Sequence, residues 1–231
     1  PWPFPFPMDR EKGIEAYQAM ITAKEYQARI DHGLTSNLAH EYSNDNEAPV
    51  IRVEITKAEN MTSDVTKYEL SPLDGKPLPK WSAGAHLDVV VAPEFFRQYS
   101  MSGDPLDRTK YQIGVLREEE GRGGSKLMHR IFTKGRKIFI SKPINHFPLV
   151  KNAKKHFFMG GGIGVTPMIA FAHECHTKGF EFEFHYSASK LENAGYLEDL
   201  KTVPWADKVH LHITDQGSRA DLEVILSGYT K

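Results

Sequence analysis

The sequence contains one cysteine, Cys175, among its 231 residues. A single thiol cannot form a disulfide within the chain, and it cannot provide the four thiolates of a plant-type iron–sulfur cluster or an all-cysteine zinc site. The first residues also lack the basic segment followed by an apolar segment that marks a signal peptide. These absences favour a reducing setting, and we expect a cytoplasmic protein.

Long apolar runs and an excess of one charge are missing too. No stretch reaches the roughly 18 apolar residues expected of a membrane-spanning helix, so we predict no membrane partner. The formal net charge is −1, which gives no electrostatic basis for nucleic-acid binding. Because 40% of the residues are hydrophobic, we expect a folded chain of one large or two small domains.

Glycine, in contrast, is concentrated in Met159–Met168, whose sequence is MGGGIGVTPM. An apolar run from His156 precedes this segment and an apolar helical pattern follows it, which predicts a strand, a glycine turn and a helix. The glycines allow a pyrophosphate to approach closely, and the helix offers free N–H groups. We predict that Thr166 caps the helix and that Pro167 is its first residue. The motif is GxGxxP rather than GxGxxG, so a purely structural turn is the alternative.

Residues 1–48 form a segment of different character, which we interpret as an N-terminal arm. Residues 1–7, PWPFPFP, are expected to be extended, and a helix is predicted from Asp9 to about Arg29. The polar residues 31–48 are typical of a linker. The arm either packs on its own domain or is disordered, or it docks another subunit or domain.

Residues 49–150 show apolar and polar residues in alternation. The alternating segments, separated by glycine and proline turns, are residues 50–56, 65–70, 86–91, 111–116 and 137–140. Short strands at this spacing predict a small antiparallel β-barrel.

Residues 151–231 change to alternating strands and helices. Strands are predicted at 156–159, 180–186 and 209–214, and helices at 167–178 and 194–201. Such alternation predicts a wound parallel α/β domain. The predicted fold is therefore a two-domain α+β protein with an N-terminal helical arm.

The barrel carries two segments suited to binding an anion and a ring. In Arg97-Gln98-Tyr99-Ser100, the arginine provides a charged fork for a phosphate, and the tyrosine provides a flat face and a hydroxyl. The glycine-rich turn that ends at Ser125 opens a helix and forms a second anion site. Each segment has a structural alternative, namely an ordinary strand end and a loop that only starts a helix.

In this order, the motifs resemble those of the ferredoxin–NADP⁺ reductase superfamily. Two of them, Gly121-Arg-Gly-Gly-Ser125 followed by Met128-His129 and Pro143-x-Asn145-x-Phe147-Pro-Leu149, are most similar to the phthalate dioxygenase reductase branch. The resemblance covers about residues 50–226.

The resemblance implies a flavin site on the barrel. It implies that Arg97 grips the flavin phosphate, that Tyr99 packs against the flavin, and that Ser100 lies near N5, the atom that accepts hydride. The implied flavin-binding residues are Arg97, Gln98, Tyr99, Ser100, Gly114, Val115, Leu116, Gly121, Gly123, Gly124 and Ser125. The branch implies FMN, and two anion-binding devices suit its single phosphate. FAD, which would need room for an adenosine, stays open.

The resemblance also implies a pyridine-nucleotide site. The implied residues are Gly161, Gly162, Gly164, Val165, Thr166, Pro167, Tyr186, Lys190 and Asp215. The branch implies NADH, although Ser187, Ser189 and Lys190 leave NADPH open, because neither an acidic residue nor a basic cluster stands in that loop. Asp215 has an alternative role as an ordinary turn residue.

The implied activity is a flavin-dependent oxidoreductase that passes electrons from NADH through FMN. Its implied partners are an iron–sulfur domain or ferredoxin and a terminal oxygenase or other metalloenzyme. The alternative is a flavin-binding docking module without turnover. We predict no metal ligands, because the eleven histidines include no His-x-x-x-His helix pair with supporting carboxylates.

Two parts of the family pattern are missing from the sequence. The branch carries a [2Fe–2S] domain with four cysteines, and the superfamily's nucleotide domain continues with a strand bearing Cys-Gly-Pro. This sequence ends at Ser227–Lys231 without either. We therefore expect the chain to be a fragment of a longer reductase, with an unusual natural truncation as the alternative.

Overall fold

A computed structural model of the chain describes residues 51–92, 95–121 and 123–227. The predicted N-terminal arm, residues 1–48, lies outside the described residues. Among the described residues, no helix is both long enough and apolar enough to cross a membrane.

The first half of the described chain is an antiparallel barrel. Its strands are β1 (Ile51–Asn60), β2 (Val65–Pro72), β3 (Ala85–Ala92), β4 (Phe95–Ser100), β5 (Tyr111–Leu116), β6 (Lys137–Ile140) and β7 (Ile144–Asn145). They are hydrogen-bonded in the order β4-β3-β6-β1-β2-β5, and β7 pairs with β3. A bridge between Met101 and Ile113 joins the two ends of that order, so the sheet nearly closes on itself. Helix α1 (Gly124–Ile131) connects β5 to β6.

The barrel forms because its strands place apolar side chains on one face at every second residue. In β1, Val53 and Ile55 point into a core that also holds the fully buried Ile113 of β5. The ring of Tyr68 meets Phe132, which follows α1, edge to face at 5.9 Å between centroids. The predicted barrel and its five alternating strands are confirmed. Strands β4 and β7 were not predicted.

The second half is a parallel sheet with helices. Its strands are β8 (His156–Gly161), β9 (Phe182–Ala188) and β10 (Val209–Ile213), in the order β10-β9-β8, and every pairing is parallel. Its helices are α2 (Val165–Lys178), α3 (Leu197–Thr202) and α4 (Leu222–Ser227). Short 3₁₀ turns cover Gly162–Gly164, Leu191–Asn193, Ala206–Lys208 and Thr214–Gln216. The predicted wound parallel domain is confirmed.

The start of α2 differs from the prediction. A 3₁₀ turn occupies Gly162–Gly164, and the helix begins at Val165, so Pro167 is its third residue and not its first. The capping position is Gly164, and no side chain caps it. Thr166 Oγ1 instead donates to the carbonyl oxygen of Ile163 at 3.0 Å. The prediction that Thr166 caps the helix is wrong, because the tight glycine turn starts the helix two residues earlier.

Two apolar clusters hold the fold together. One fills the barrel, and the other lies between α2, α3 and the parallel sheet and contains the fully buried Trp205 and Cys175. The second cluster also includes Val65 and Ala83 of the barrel, and the half-buried Trp81 packs against both clusters. The two halves therefore share a continuous apolar boundary.

Candidate functional site at the junction of barrel and nucleotide domain

A cavity of about 360 Å³ lies where the barrel meets the glycine turn of the second domain. We refer to it as the junction cleft. Strands β4 and β5, the start of α1 and the first turn of α2 contribute to its wall. Its lining residues are Arg97, Gln98, Tyr99, Ser100, Gly114, Leu116, Glu118, Gly124, Ser125, Ile163, Gly164, Thr166 and Pro167. Most of the predicted flavin residues and three of the predicted nucleotide residues thus meet in one place.

Arg97 lies directly against the first turn of α1. A Cβ added at Gly124 would be 2.9 Å from Arg97 Nε and 3.1 Å from its Cγ, so only glycine leaves room for the side chain there. Arg97 Nη1 also donates to the carbonyl oxygen of Phe96 at 2.7 Å. The arginine and the helix N-terminus, which the sequence identified separately, therefore form one positive site.

The loop before α1 is arranged to present N–H groups. Gly123 caps the helix with φ 87°, a conformation that favours glycine, and no side chain bonds to the cap. Ser125 Oγ accepts a hydrogen bond from the Glu118 N–H at 3.1 Å, so its own proton can be donated to an anion in the cleft. The side chain of Ser125 fixes the loop and lines the cleft at the same time.

Tyr99 provides the aromatic wall of the cleft. Its half-buried ring packs against the barrel core. Burial raises the pKa of the Tyr99 hydroxyl, against the opposing effect of the nearby Arg97 charge, so the phenol is neutral at physiological pH. A neutral phenol offers an uncharged ring face and a hydroxyl to a planar ligand.

His129 anchors α1 to the barrel. Its Nε2 lies 3.0 Å from the carbonyl oxygen of Val115, to which it donates, and its Nδ1 lies 3.2 Å from Thr66 Oγ1. Burial lowers the pKa of His129, so the ring is neutral near pH 7. The sequence identified His129 as part of a motif but gave it no role; in the structure it fixes α1 against β5.

The glycine turn approaches the barrel through its side chains as well as its backbone. A Cβ added at Gly114 of β5 would lie 2.8 Å from Thr166 Cγ2 and 3.2 Å from Ile163 Cδ1. The lack of a side chain at Gly114 thus admits the turn to the cleft wall. The sequence predicted Gly114 as backbone contacting a flavin ring, and the structure adds a second reason for glycine there.

Gly160, at the end of β8, is required by the backbone that follows it. A Cβ at this position would lie 2.8 Å from the Val165 Cα, whereas a Cβ at Gly161 meets nothing within 4 Å. We expect Gly160→Ala to destabilise the protein by about 1–3 kcal/mol, because a backbone atom must move. Urea denaturation of both variants measures this effect, with Gly161→Ala as the matched control. Equal losses in the two variants would contradict the prediction.

A second, larger cavity of about 800 Å³ is lined by the end of β1, by α3 and the segment before it, and by Asp215. Lys190 and Asp215 both line it, and the Asp215 N–H donates to the carbonyl oxygen of Ser189 at 3.0 Å. The structure therefore brings these two predicted nucleotide residues together. Tyr186 is different: its ring is 1% exposed, and its hydroxyl donates to the Gly195 carbonyl oxygen at 2.7 Å. Its side chain thus serves the core and faces neither cavity.

Some predicted residues do not line either cavity. They are Val115, Gly121, Gly123, Gly161, Gly162, Val165 and Tyr186. The Val115 side chain is fully buried in the barrel, and its carbonyl oxygen is bonded by His129. Gly123, Gly161 and Gly162 shape the backbone next to the cleft, whereas Gly164 lines it.

Sequence reasoning missed two lining residues, Glu118 and Ile163. Glu118 belongs to the acidic run Glu118–Glu120, and it is exposed although it borders the cleft. Ile163 is the unspecified position between the two glycines of the GxGxxP motif. Its apolar side chain, placed between two glycines, was the available signal that this turn packs against another surface.

One group of metal-type ligands is found among the described residues, formed by Glu183, His185 and His210 on the sheet. The rings of His185 and His210 are stacked with centroids 4.7 Å apart and an interplanar angle of 20°. Nitrogen lone pairs lie in the ring plane, so nearly parallel rings do not direct them at a common ion. Glu183 also forms an ion pair with Lys155, with 2.5 Å between Glu183 Oε1 and Lys155 Nζ. We retain the prediction of no metal ligands in this region.

A nearly closed antiparallel barrel that meets a parallel α/β domain at a glycine turn is the fold of the ferredoxin reductase-like class. No family model matches the chain. The chain is 34% identical over 181 residues to the carnitine monooxygenase reductase subunit of Escherichia coli, covering 77% of this chain and 56% of that protein. It is 34% identical over 163 residues to the phthalate dioxygenase reductase of Burkholderia cepacia, covering 70% and 51%.

A solved structure agrees with these relatives. The phthalate dioxygenase reductase structure, described as modular for electron transfer from pyridine nucleotides to [2Fe–2S], matches with a TM-score of 0.72 and 33% identity, covering 78% of this chain and 57% of that one. The matched region is similar to phthalate dioxygenase reductase-like components of oxygenase systems. The chain spans about half the length of the curated relatives that it matches.

Proposed function

We propose that this chain is the flavin- and nucleotide-binding part of an oxygenase reductase that takes electrons from NADH. The observation that carries the proposal is the junction cleft, where Arg97 and the start of α1 face the glycine turn at Gly164–Pro167 across one cavity. A flavin and a nicotinamide must lie in contact for hydride transfer, and this is the place where the two binding elements meet.

The residues of the cleft fit a flavin mononucleotide. Arg97 and the N–H groups at the start of α1 would bind the phosphate. FMN carries one phosphate, so this one site is sufficient for its charged end. Tyr99 would cover one face of the ring, and Ser100 would donate a hydrogen bond at its edge. Bound FMN supplies the chemistry of accepting hydride and releasing electrons singly. The apolar side chains of Leu116 and Ile163 would exclude water from the cleft.

The charges of the second cavity favour NADH over NADPH as the electron donor. Its lining holds five carboxylates and two lysines: Glu59, Glu192, Glu198, Asp199, Asp215, Lys190 and Lys201. Both lysines have acidic neighbours, since Lys190 lies 3.6 Å from Glu192 and Lys201 lies 2.6 Å from Glu198. A 2′-phosphate in this cavity would find both lining lysines already paired with carboxylates, whereas a ribose 2′-hydroxyl would find an acceptor in Asp215.

The electron acceptor in this proposal is an iron–sulfur centre, on a ferredoxin or a further domain, that serves a terminal oxygenase. The relatives support this class of partner, since their names place them in carnitine monooxygenase and phthalate dioxygenase systems. The described residues contain one cysteine, Cys175, which is buried, so the iron–sulfur ligands would come from outside them.

Anaerobic reduction tests the proposed function. The protein is loaded with FMN, and NADH is then added in the absence of oxygen; we expect the flavin band near roughly 450 nm to bleach, as flavin cofactor chemistry requires. NADPH is added to a parallel sample. We expect the same bleaching to require a concentration of NADPH about ten-fold higher than that of NADH, because of the carboxylates of the second cavity. A protein that binds FMN tightly and stays oxidised with both nucleotides would refute the proposal.

A further inference from the structure

Tyr196, the residue before α3, has an unusual backbone conformation. Its φ is 68° and its ψ −1°, and it is the one non-glycine residue with positive φ among residues 51–92, 95–121 and 123–227. Left-handed backbone is unfavourable for a residue with a bulky side chain. Its ring is 2% exposed, so the strained backbone directs the side chain inward rather than into solvent. Such strain persists only where the surroundings enforce it, and it often marks a functional position.

The Tyr196 side chain crosses from the nucleotide domain into the barrel. Its hydroxyl lies 3.3 Å from Ser102 Oγ, and this serine is also 2% exposed. Ser102 follows β4 and is held to β5, because its N–H donates to the carbonyl oxygen of Gln112 at 3.0 Å. A buried hydrogen bond between two hydroxyls thus connects the domains at the level of the cleft wall.

The Tyr196 hydroxyl and the glycine turn meet the same residue of the barrel. A Cβ at Gly114 would lie 2.4 Å from Tyr196 Oη, as well as 2.8 Å from Thr166 Cγ2 and 3.2 Å from Ile163 Cδ1. Gly114, Thr166 and Ile163 line the junction cleft, while Tyr196 lines the second cavity behind it. The phenol therefore forms the contact immediately behind the place where the turn faces the cleft.

A charged contact fixes the same region from another side. Lys67 Nζ of β2 lies 2.5 Å from Asp199 of α3 and 3.1 Å from Glu59, although its side chain is only 6% exposed. The ammonium group also lies 5.9 Å from the centroid of the Tyr196 ring. This ion pair holds α3 to the barrel, whereas the Tyr196 hydroxyl determines how closely the loop approaches Gly114.

We propose that Tyr196 is a positioning residue: its hydroxyl, seated on Ser102 against Gly114, sets the spacing between the glycine turn and the flavin-facing wall of the cleft. This inference rests on the proposed function, because that spacing is the distance across which the two cofactors would meet. Tyr196 does not line the junction cleft and is not part of the glycine turn. Its effect on electron transfer is exerted through the position of Ile163 and Thr166.

Hydrogen exchange of the complete chain, without added cofactor, tests the spacing directly. Tyr196→Phe removes the hydroxyl and keeps the ring, and we expect amide exchange in the peptides that contain Ile163–Pro167 and Gly114 to rise about ten-fold. Ser102→Ala removes the other partner and should give the same pattern. Because Ser102→Ala changes only a small side chain, this variant tests the positioning role if Tyr196→Phe does not fold.

Tyr111→Phe is the matched control, because its buried hydroxyl bonds to the Pro79 carbonyl oxygen at 2.5 Å within the barrel and does not cross the junction. It should leave exchange of the glycine turn unchanged. If Tyr196→Phe and Ser102→Ala lower only the unfolding temperature and leave that exchange as in the wild type, the positioning role is refuted.

Single-turnover reduction of bound FMN at saturating NADH provides the second readout. In Tyr196→Phe, the limiting rate should fall about ten-fold while the FMN affinity stays within a factor of about two, because the bound nucleotide is displaced from the flavin. An unchanged limiting rate would contradict the inference. If the wild type itself is not reduced, the proposed function fails, and the exchange experiment still decides whether Tyr196 sets the spacing.

Discussion

Replacing Arg97 with alanine is expected to weaken FMN binding by about ten- to a hundred-fold, since a charge-assisted hydrogen bond contributes about 1.5–3 kcal/mol. The structure places the guanidinium stem against Gly124, so the phosphate would lose its cation and keep only the N–H groups of α1. Quenching of FMN fluorescence, titrated with protein, measures the dissociation constant.

Arg52→Ala is a suitable control for that experiment, because Arg52 is an exposed arginine of strand β1 and lines neither cavity. It removes one positive charge from the same barrel and should leave the affinity unchanged. Arg97→Lys should fall between the wild type and Arg97→Ala, since lysine keeps the charge but loses the planar fork. If Arg97→Ala and Arg52→Ala bind FMN equally well, the phosphate site has been misplaced.

Replacing Gly84 with alanine is expected to destabilise the protein by about 2–5 kcal/mol. Gly84 has φ +87°, and a Cβ there would lie 1.7 Å from the carbonyl oxygen of Phe147 and 3.0 Å from Phe171. Phe147 belongs to the segment that connects the domains, and Phe171 belongs to α2. The added methyl group would therefore push apart barrel, connection and nucleotide domain.

Gly135→Ala separates the two causes of the lost stability, which are the backbone strain at positive φ and the collision of the added Cβ with Phe147. Gly135 has φ +89°, almost the same conformation, but an added Cβ meets nothing within 4 Å. Both variants share the strain of a side chain at positive φ and the same effect on the unfolded chain, so their difference isolates the collision. We expect Gly84→Ala to unfold at lower urea concentration, by a further about 1–3 kcal/mol at constant m-value. Equal urea midpoints for the two variants would show that Phe147 moves aside with no loss in the free energy of unfolding.

Most of the fold could be predicted from the sequence, because the spacing of apolar residues within a short segment indicates whether that segment forms a strand or a helix. Strand β5 was predicted with its observed bounds, Tyr111–Leu116, since Tyr111, Ile113 and Val115 stand at every second position, and all three are buried in the barrel core. Strand β4, Phe95–Ser100, was missed because Arg97 to Ser100 line a cleft and so break the alternation that marks a strand. The segment whose pattern is least regular is the one that carries the most site residues.

The site could be predicted only as separate pieces. Arg97 and the glycine turn before α1 were both identified as anion-binding elements, yet their contact at Gly124 depends on how the barrel closes. Tyr196 and Ser102 are 94 positions apart, and no periodicity relates them. Contacts between domains are set by tertiary packing, and they therefore became visible only in the structure.

Cys175 gives the nucleotide domain a built-in chemical reporter. It is the one thiol in the sequence, it lies fully buried on α2, and burial raises its pKa to about 12. Only the thiolate attacks disulfide reagents, so both inaccessibility and protonation protect it while α2 is seated. The rate at which a reagent such as dithiobis-nitrobenzoate labels the native chain therefore measures how often α2 separates from the sheet beneath it. Because α2 begins at the glycine turn, that rate also measures how firmly the nucleotide side of the cleft is held.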